Sequence, residues 1–156
     1  RLAQLCAQAG IAVVFVPELP KMGVSGATRW LTPNKALIQL SLRYKADDHL
    51  WFTFFHEAGH ILLHGKRDIF LEGGDAHGDK EHEANKFAAD TLIPPAELAQ
   101  FVKRGDYGEA AIRHLASKVG IAPGIVAGRL QHEGKLEWNE CNDLKVRLMW
   151  GNGAQD

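Results

Sequence analysis

The first 46 residues alternate short apolar runs with turn residues, a pattern that predicts one helix followed by a small sheet. Apolar residues at helical spacing open the chain and stop at Gly10. The β-branched run 11–16 and a second run at 27–31 predict two strands. From 38 to 44, the apolar residues Ile38, Leu40, Leu42 and Tyr44 alternate with polar ones. This alternation predicts a third strand with one solvated face, antiparallel to its neighbour or near a sheet edge.

Two longer helices are predicted in the middle third of the chain. The first begins at Asp47 or Asp48, either of which can cap it, and keeps its helical spacing as far as Gly65. A polar, glycine-rich segment follows at 73–79. The second helix begins near Lys80 and is ended by two consecutive prolines.

The last third is broken by glycines at intervals that predict several short helices. The chain therefore divides into a helix and small sheet at 1–46, two long helices at 47–94, and a helical part at 95–150. We interpret residues 1–156 as one α+β domain: a small, mainly antiparallel N-terminal sheet, a helical core and a C-terminal set of short helices.

Composition narrows the class of protein without pointing to a function. With 156 residues, 46% hydrophobic and 24% charged, the chain has the composition of one soluble globular domain. Its net charge of −1 gives no basic field that would hold nucleic acid. No run is long enough to cross a bilayer, no secretory signal opens the chain, and two distant cysteines suggest no disulfide framework. We therefore expect a cytoplasmic protein that does not contact a membrane.

The first long helix contains the motif His56-Glu57-Ala58-Gly59-His60. Two histidines four positions apart lie on one helical face, so both imidazoles can bind the same ion. Glu57 projects to the side of that face, where it can take a proton from a water without being a ligand. The flanking residues are strongly apolar, and polar side chains are costly in such a helix unless they have a partner. The motif therefore predicts a zinc site with His56 and His60 as ligands and Glu57 as general base.

A catalytic zinc also needs a third protein ligand. Position 66, where a third histidine of the metzincin class would fall, is Lys66. The next helix offers Glu81 and Glu83. We favour Glu83, because it shares a helical face with Phe87 and Asp90, and keep Glu81 as the alternative.

Three further side chains near the motif have weaker interpretations. His82 is a less favoured third ligand. Asp90 could accept a hydrogen bond from a ligating imidazole, or be a surface residue. We interpret His64 as a helix C-terminal residue favoured by the helix dipole, with a role around the metal as the less favoured alternative.

The segment 110–130 has the outline of a helix-turn-helix, with a glycine turn between two helices. Its second helix has few long polar side chains and contains Gly124 and Gly128, which weaken it as a DNA-reading helix. We therefore favour a packing role behind the metal site over DNA contact.

The motifs together resemble a known family. The segments HEAGH at 56–60, LHG at 63–65 and EANKFAADTLIP at 83–94 resemble the ImmA/IrrE family of zinc metallopeptidases, and the strands at 10–17 and 36–42 are similar to that family's sheet. The resemblance implies a zincin-like core with Glu83 as third ligand and a cytoplasmic protease that acts on a DNA-binding repressor. Members often follow an N-terminal helix-turn-helix domain of the antitoxin or phage-repressor type. Because the chain starts at Arg1, we expect that such a domain preceded it.

These observations predict a gluzincin-like, zinc-dependent endopeptidase whose partner is a repressor-type or toxin-antitoxin protein. Nucleic acid would be contacted through the upstream domain. A substrate strand would pair with residues 38–42, as with an edge strand. A tyrosine or histidine would stabilise the oxyanion, the candidates being Tyr44, Tyr107, His114 and His132. The alternative function is a catalytically silent zinc-binding sensor or interaction module of a transcriptional regulator.

Overall fold

The computed structural model describes residues 1–17, 23–65, 70–71 and 78–150. In chain order these residues form α1 (Leu2–Gln8), β1 (Ile11–Val16), β2 (Gly26–Thr32), β3 (Lys35–Ser41), α2 (Asp47–Leu63), β4 (Phe70–Leu71), α3 (Gly78–Leu92), α4 (Pro95–Arg104), α5 (Glu109–Val119) and α6 (Pro123–His132). A short 3-10 helix, Asn142–Leu144, follows. The element order confirms the predicted α+β class, while most of the predicted polar segment 73–79 lies outside the described residues. In the described part of the chain, no helix has the length and apolar character to span a bilayer.

The sheet is mixed, with the strand order β1-β3-β2-β4. β3 pairs in parallel with β1 and antiparallel with β2, and β4 adds a short antiparallel pairing to Ala27 and Thr28 of β2. The predicted antiparallel arrangement thus holds for β2–β3 and β2–β4. β1 instead pairs in parallel with β3, and the two strands are not joined by a tight turn because β2 lies between them in the chain.

β3 is an interior strand, so the expectation that residues 38–42 pair with a substrate strand is wrong. β1 and β2 occupy both of its hydrogen-bonding sides. Its alternating pattern has another cause: one face packs against helices and buries Ala36, Ile38 and Leu40, while the residues between them stay partly exposed. An alternating pattern indicates which face of a strand is buried, but it does not indicate whether the strand lies at the edge of the sheet.

α2 lies between two hydrophobic clusters and contributes to both. Phe54 and Ile61 belong to the cluster on the sheet side, together with buried residues of β1 and β3. Trp51 and Phe55 pack against this cluster and also against the second one, which is built mainly from α3 to α6. Because α2 is covered from both sides, the polar residues of its middle turns are held inside the protein.

The first turn of α2 is anchored by α6 and by the segment after it. A Cβ atom at Gly124 would lie 2.8 Å from Asp47 Oδ1, and one at Gly128 would lie 2.3 Å from Asp48 Oδ2, so glycine is needed at both positions. Lys145 Nζ lies 2.8 Å from Asp48 Oδ2. α6 buries Ile125, Val126, Ala127, Leu130 and Gln131 in addition to Gly124. These contacts give α6 the packing role that the sequence favours over DNA reading.

The buried Asp47 carboxyl is expected to make stability depend on pH. Burial raises the pKa of Asp47, although hydrogen bonds from the backbone N–H groups of Val146 and Asp48 act in the opposite direction. The folded protein then holds this proton more tightly than the unfolded chain. The contribution of Asp47 to the free energy of unfolding therefore falls as the pH rises from the unfolded pKa through the raised one.

Asp47→Asn keeps an oxygen that can accept both hydrogen bonds and removes the titration. Urea unfolding at several pH values between about 4 and 8 should show the Asn variant gaining stability relative to wild type as the pH rises. A difference that stays constant, or that moves in favour of wild type, would contradict this prediction.

Candidate metal centre

Three ligand atoms from two helices meet at one point beside α2. His56 Nε2 and His60 Nε2, one helical turn apart, are separated by 3.1 Å. The Glu81 carboxylate of α3 reaches both of them, with Oε2 at 3.2 Å from His56 Nε2 and Oε1 at 3.2 Å from His60 Nε2. Both imidazoles are buried, and the Glu81 side chain is 22% exposed. The group is thus buried on the α2 side and reachable from solvent on the α3 side.

The neighbours of the two rings determine which nitrogen carries the proton in the neutral form. His56 Nδ1 lies 2.9 Å from Asn85 Oδ1, an amide oxygen that can only accept, so Nδ1 donates. His60 Nδ1 lies 2.9 Å from His64 Nδ1, and His64 Nε2 lies 3.0 Å from Glu83 Oε2. Since the carboxylate accepts from His64 Nε2, His64 Nδ1 accepts in turn from His60 Nδ1. In both ligand rings, the Nε2 lone pair is therefore turned toward Glu81.

This donor set fits a divalent metal ion. Two imidazole lone pairs and a carboxylate repel one another at 3.1–3.2 Å, so a cation placed among them would stabilise the arrangement. Ligand atoms at neighbouring corners of a zinc tetrahedron are about 3.3–3.4 Å apart for bonds of about 2.0–2.1 Å. Two imidazoles and one carboxylate, with a fourth position left open, are the ligand set of a catalytic zinc site.

The structure brings Glu81, and not Glu83, to the two imidazoles. Within the described residues, His56, His60 and Glu81 are the group of possible ligands close enough to share an ion. The Glu83 side chain is 61% exposed and contacts His64 instead. The preference for Glu83 as third ligand, drawn from the sequence and implied by the family resemblance, is therefore corrected to the alternative Glu81.

The reason for this correction is the face by which α3 contacts α2. Ala84 and Ala88 are both fully buried, and a Cβ atom at Gly59 of α2 would lie 3.2 Å from Ala84 Cα. These small residues let the helices approach closely and identify the inner face of α3. Glu81 precedes Ala84 and Ala88 by three and seven positions, so it shares this face. The sequence-based choice relied on Phe87, which also meets α2, with its Cδ1 3.1 Å from the same Cβ atom at Gly59, but which does not bring Glu83 to the imidazoles.

Glu57 lies outside the group of three possible ligands and is completely buried. It follows His56 in α2, so its side chain leaves the helix about 100° away from that of His56. It packs against the first residue of β2, because a Cβ atom at Gly26 would lie 2.6 Å from Glu57 Oε1 and 2.6 Å from Thr53 Cγ2. The Glu57 carboxylate is thus a buried base candidate held between α2 and the sheet, a position that needs a glycine opposite it.

The other side chains singled out from the sequence lie elsewhere. Asp90 pairs with Lys86 on its own helix, and His82 is exposed on α3. Tyr44 stacks on His49 with ring centroids 4.2 Å apart, and Tyr107 packs near Phe101 in the helical cluster. His114 and His132 are exposed on α5 and α6.

Sequence analysis missed two residues that complete the centre. Asn85 had a place in the family motif but no role, although it lies one turn after Glu81 on the inner face of α3. Gly26 lies just before the predicted strand at 27–31, and nothing local in the sequence shows that α2 approaches it.

Comparison with known proteins points to a peptidase family. A comparison with curated protein sequences finds no significant match. The family model for the IrrE N-terminal-like domain, Peptidase_M78, matches residues 6–131, which is most of the chain and includes α2 and α3. The resemblance identified from the sequence motifs is thereby confirmed. The chain belongs to the IrrE N-terminal-like family of M78 peptidases, and its function is metallopeptidase-like.

Proposed function

We propose that this domain is a cytoplasmic, gluzincin-like, zinc-dependent endopeptidase. His56, His60 and Glu81 would hold the metal, and Glu57 would act as general base. The observation that carries the proposal is the convergence of two imidazole lone pairs and one carboxylate, each within 3.2 Å of the next. A bound Zn²⁺ would polarise the peptide carbonyl of the substrate and make the attacking water more acidic.

The protein's own residues account for proton transfer and for orientation. Glu57 takes a proton from the attacking water and later returns it to the leaving amine, as a buried carboxylate beside a metal site can do. Gly26, which has no side chain, leaves the space that the Glu57 carboxylate occupies. Asn85 and His64 hold the two imidazoles with Nε2 turned toward the reaction centre.

The substrate proposed is a regulatory protein of the repressor or antitoxin type, because the chain resembles peptidases that act on such proteins. β2 carries Gly26 against Glu57, and β4 is its outer neighbour. A substrate strand would therefore pair at the β2–β4 edge rather than with β3.

A peptide library tests the proposal without knowledge of the natural substrate. The purified protein with one equivalent of Zn²⁺ is incubated with peptides derived from a whole proteome, and new N-termini are counted by mass spectrometry. We expect internal cleavages that disappear after chelation and return when zinc is added back. If zinc is bound at one equivalent and no metal-dependent cleavage occurs, the proposal is overturned in favour of a catalytically silent zinc-binding sensor.

Gly26→Ala tests the contact between β2 and the proposed base. The new methyl group would overlap Glu57 Oε1 and Thr53 Cγ2, so the carboxylate has to move. A displacement of about 1 Å at a catalytic group lowers the rate by about 10²-fold, and we expect a loss of this size in library cleavage.

Gly78→Ala is the matched control, because a Cβ atom there meets nothing within 4 Å. Zinc stoichiometry should stay at the wild-type value in both variants, since neither residue is a ligand. Wild-type cleavage by Gly26→Ala would contradict the position assigned to Glu57.

A further inference from the structure

His60 is connected to the protein surface through His64 and Glu83, whereas His56 contacts the amide of Asn85. The His64 side chain is only 2% exposed, whereas that of Glu83 is 61% exposed. The distances are 2.9 Å from His60 Nδ1 to His64 Nδ1 and 3.0 Å from His64 Nε2 to Glu83 Oε2. His56 is oriented instead by the neutral amide of Asn85. His60 is thus supported by a hydrogen-bonded relay, formed by His64 and Glu83, that ends at a carboxylate. His56 is supported by a neutral acceptor.

The backbone holds this relay in place. α2 ends at Leu63, and the His64 N–H still donates to the His60 carbonyl oxygen at 3.2 Å. This bond keeps the His64 ring one turn from the His60 ring, with centroids 5.0 Å apart. α3 then brings Glu83 to the far nitrogen of His64, two residues after the ligand Glu81. The contact between α2 and α3 therefore places both Glu81 beside His60 and Glu83 beside His64.

We propose that His64 and Glu83 are positioning residues for His60, acting through one hydrogen-bonded relay that fixes the tautomer and orientation of this ligand. The proposal rests on the proposed metal site but not on peptide hydrolysis. A buried imidazole with two possible tautomers needs an acceptor at one nitrogen to select between them. Glu83 selects Nε2–H in His64, His64 then selects Nδ1–H in His60, and His60 Nε2 is left as the electron-pair donor. Partners of this kind change metal affinity by about 10- to 100-fold.

A double-variant cycle on zinc affinity tests the relay. Affinity is measured by competition with a chromophoric chelator for wild type, Glu83→Ala, His64→Ala and the variant that carries both changes. We expect each single change to weaken zinc binding about 10- to 100-fold, and the double change to weaken it no more than His64→Ala alone, since the residues act in series. Glu83→Gln, which retains an acceptor oxygen, should recover part of the loss.

Asp90→Ala is the matched control for loss of one acidic side chain from α3. Asp90 pairs with Lys86, so its removal should leave zinc affinity within about twofold of wild type. The relay would be overturned if Glu83→Ala and His64→Ala changed zinc affinity as little as Asp90→Ala does. It would also be overturned if the losses in zinc affinity of the two single variants added up in the double variant.

A measurement on the metal-free protein keeps this test separate from the proposed function. Long-range ¹⁵N–¹H NMR spectra distinguish the two imidazole tautomers. We expect His60 with the proton on Nδ1 and His64 with the proton on Nε2 in wild type, and loss of the His64 preference in Glu83→Ala. His60 protonated on Nε2 in the neutral wild-type protein would overturn the proposal, whether or not the protein cleaves peptides.

Discussion

Replacing Glu57 with Gln is expected to abolish most peptide hydrolysis while zinc binding persists. The proposed base is a buried carboxylate next in sequence to His56, and an amide of the same shape cannot accept a proton from water. General-base catalysis contributes about 10²- to 10⁴-fold to a rate, so we expect losses in this range in library cleavage. Zinc stoichiometry and affinity should remain at the wild-type level, because Glu57 is outside the group of ligands.

Glu109→Gln is the matched control, an exposed glutamate that pairs with Arg113 on α5. It removes the same charge from a surface site and should cleave like wild type. Hydrolysis by Glu57→Gln at the rate of this control would show that another group takes the proton. Loss of zinc from Glu57→Gln would show instead that Glu57 is a ligand.

Glu81→Ala is expected to reduce zinc affinity by more than the roughly 10- to 100-fold effect of a residue that only supports a ligand. The change removes one of three protein ligands and the carboxylate that balances the charge of the ion. Zinc binding stabilises the folded state by about 2.7 kcal/mol at a free concentration of 100 Kd. Thermal unfolding at a fixed zinc concentration should therefore show a rise in Tm for wild type that is lost in Glu81→Ala.

The neighbouring histidine provides the control for Glu81→Ala. His82 is exposed on the same helix, and His82→Ala should keep the full zinc-induced rise in Tm. In the presence of chelator, Glu81→Ala should unfold at the wild-type temperature or slightly above it, because the Glu81 carboxylate without a cation is repelled by the imidazole acceptors. A zinc-induced rise in Glu81→Ala equal to that of wild type would exclude Glu81 as the third ligand.

The local patterns of the sequence predict much of this centre. The spacing of His56 and His60, the apolar residues around them and the helix limits near Asp47 and Gly65 all depend on short-range periodicity, which α2 retains in the structure. The strand positions follow from runs of β-branched residues for the same reason. The family motif also lies in α2 and α3, so it can be recognised without any knowledge of tertiary contacts.

The parts that sequence analysis missed depend on contacts between elements. The choice between Glu81 and Glu83 depends on which face of α3 meets α2, and the fully buried residues of this face are Ala84 and Ala88, which pack near Gly59 of α2 together with Phe87. Small residues are a weak signal in a hydrophobic pattern, yet they mark the closest helix approach.

The interior position of β3 has a similar explanation. Its alternation records a sheet with one covered face, but the strand order depends on which strands pair with each other, and an alternating pattern within one strand does not specify this. The relay from His60 through His64 to Glu83 likewise joins residues whose side chains meet only after α2 and α3 have packed.

The central claim is that His56, His60 and Glu81 together bind one metal ion. Anomalous diffraction from crystals grown with zinc, recorded on both sides of the zinc absorption edge, tests it most directly. We predict one strong anomalous peak about 2.0–2.2 Å from His56 Nε2, His60 Nε2 and a Glu81 carboxylate oxygen, with Glu83 on His64. No peak between these residues, or a peak ligated by Glu83 in place of Glu81, would contradict the account.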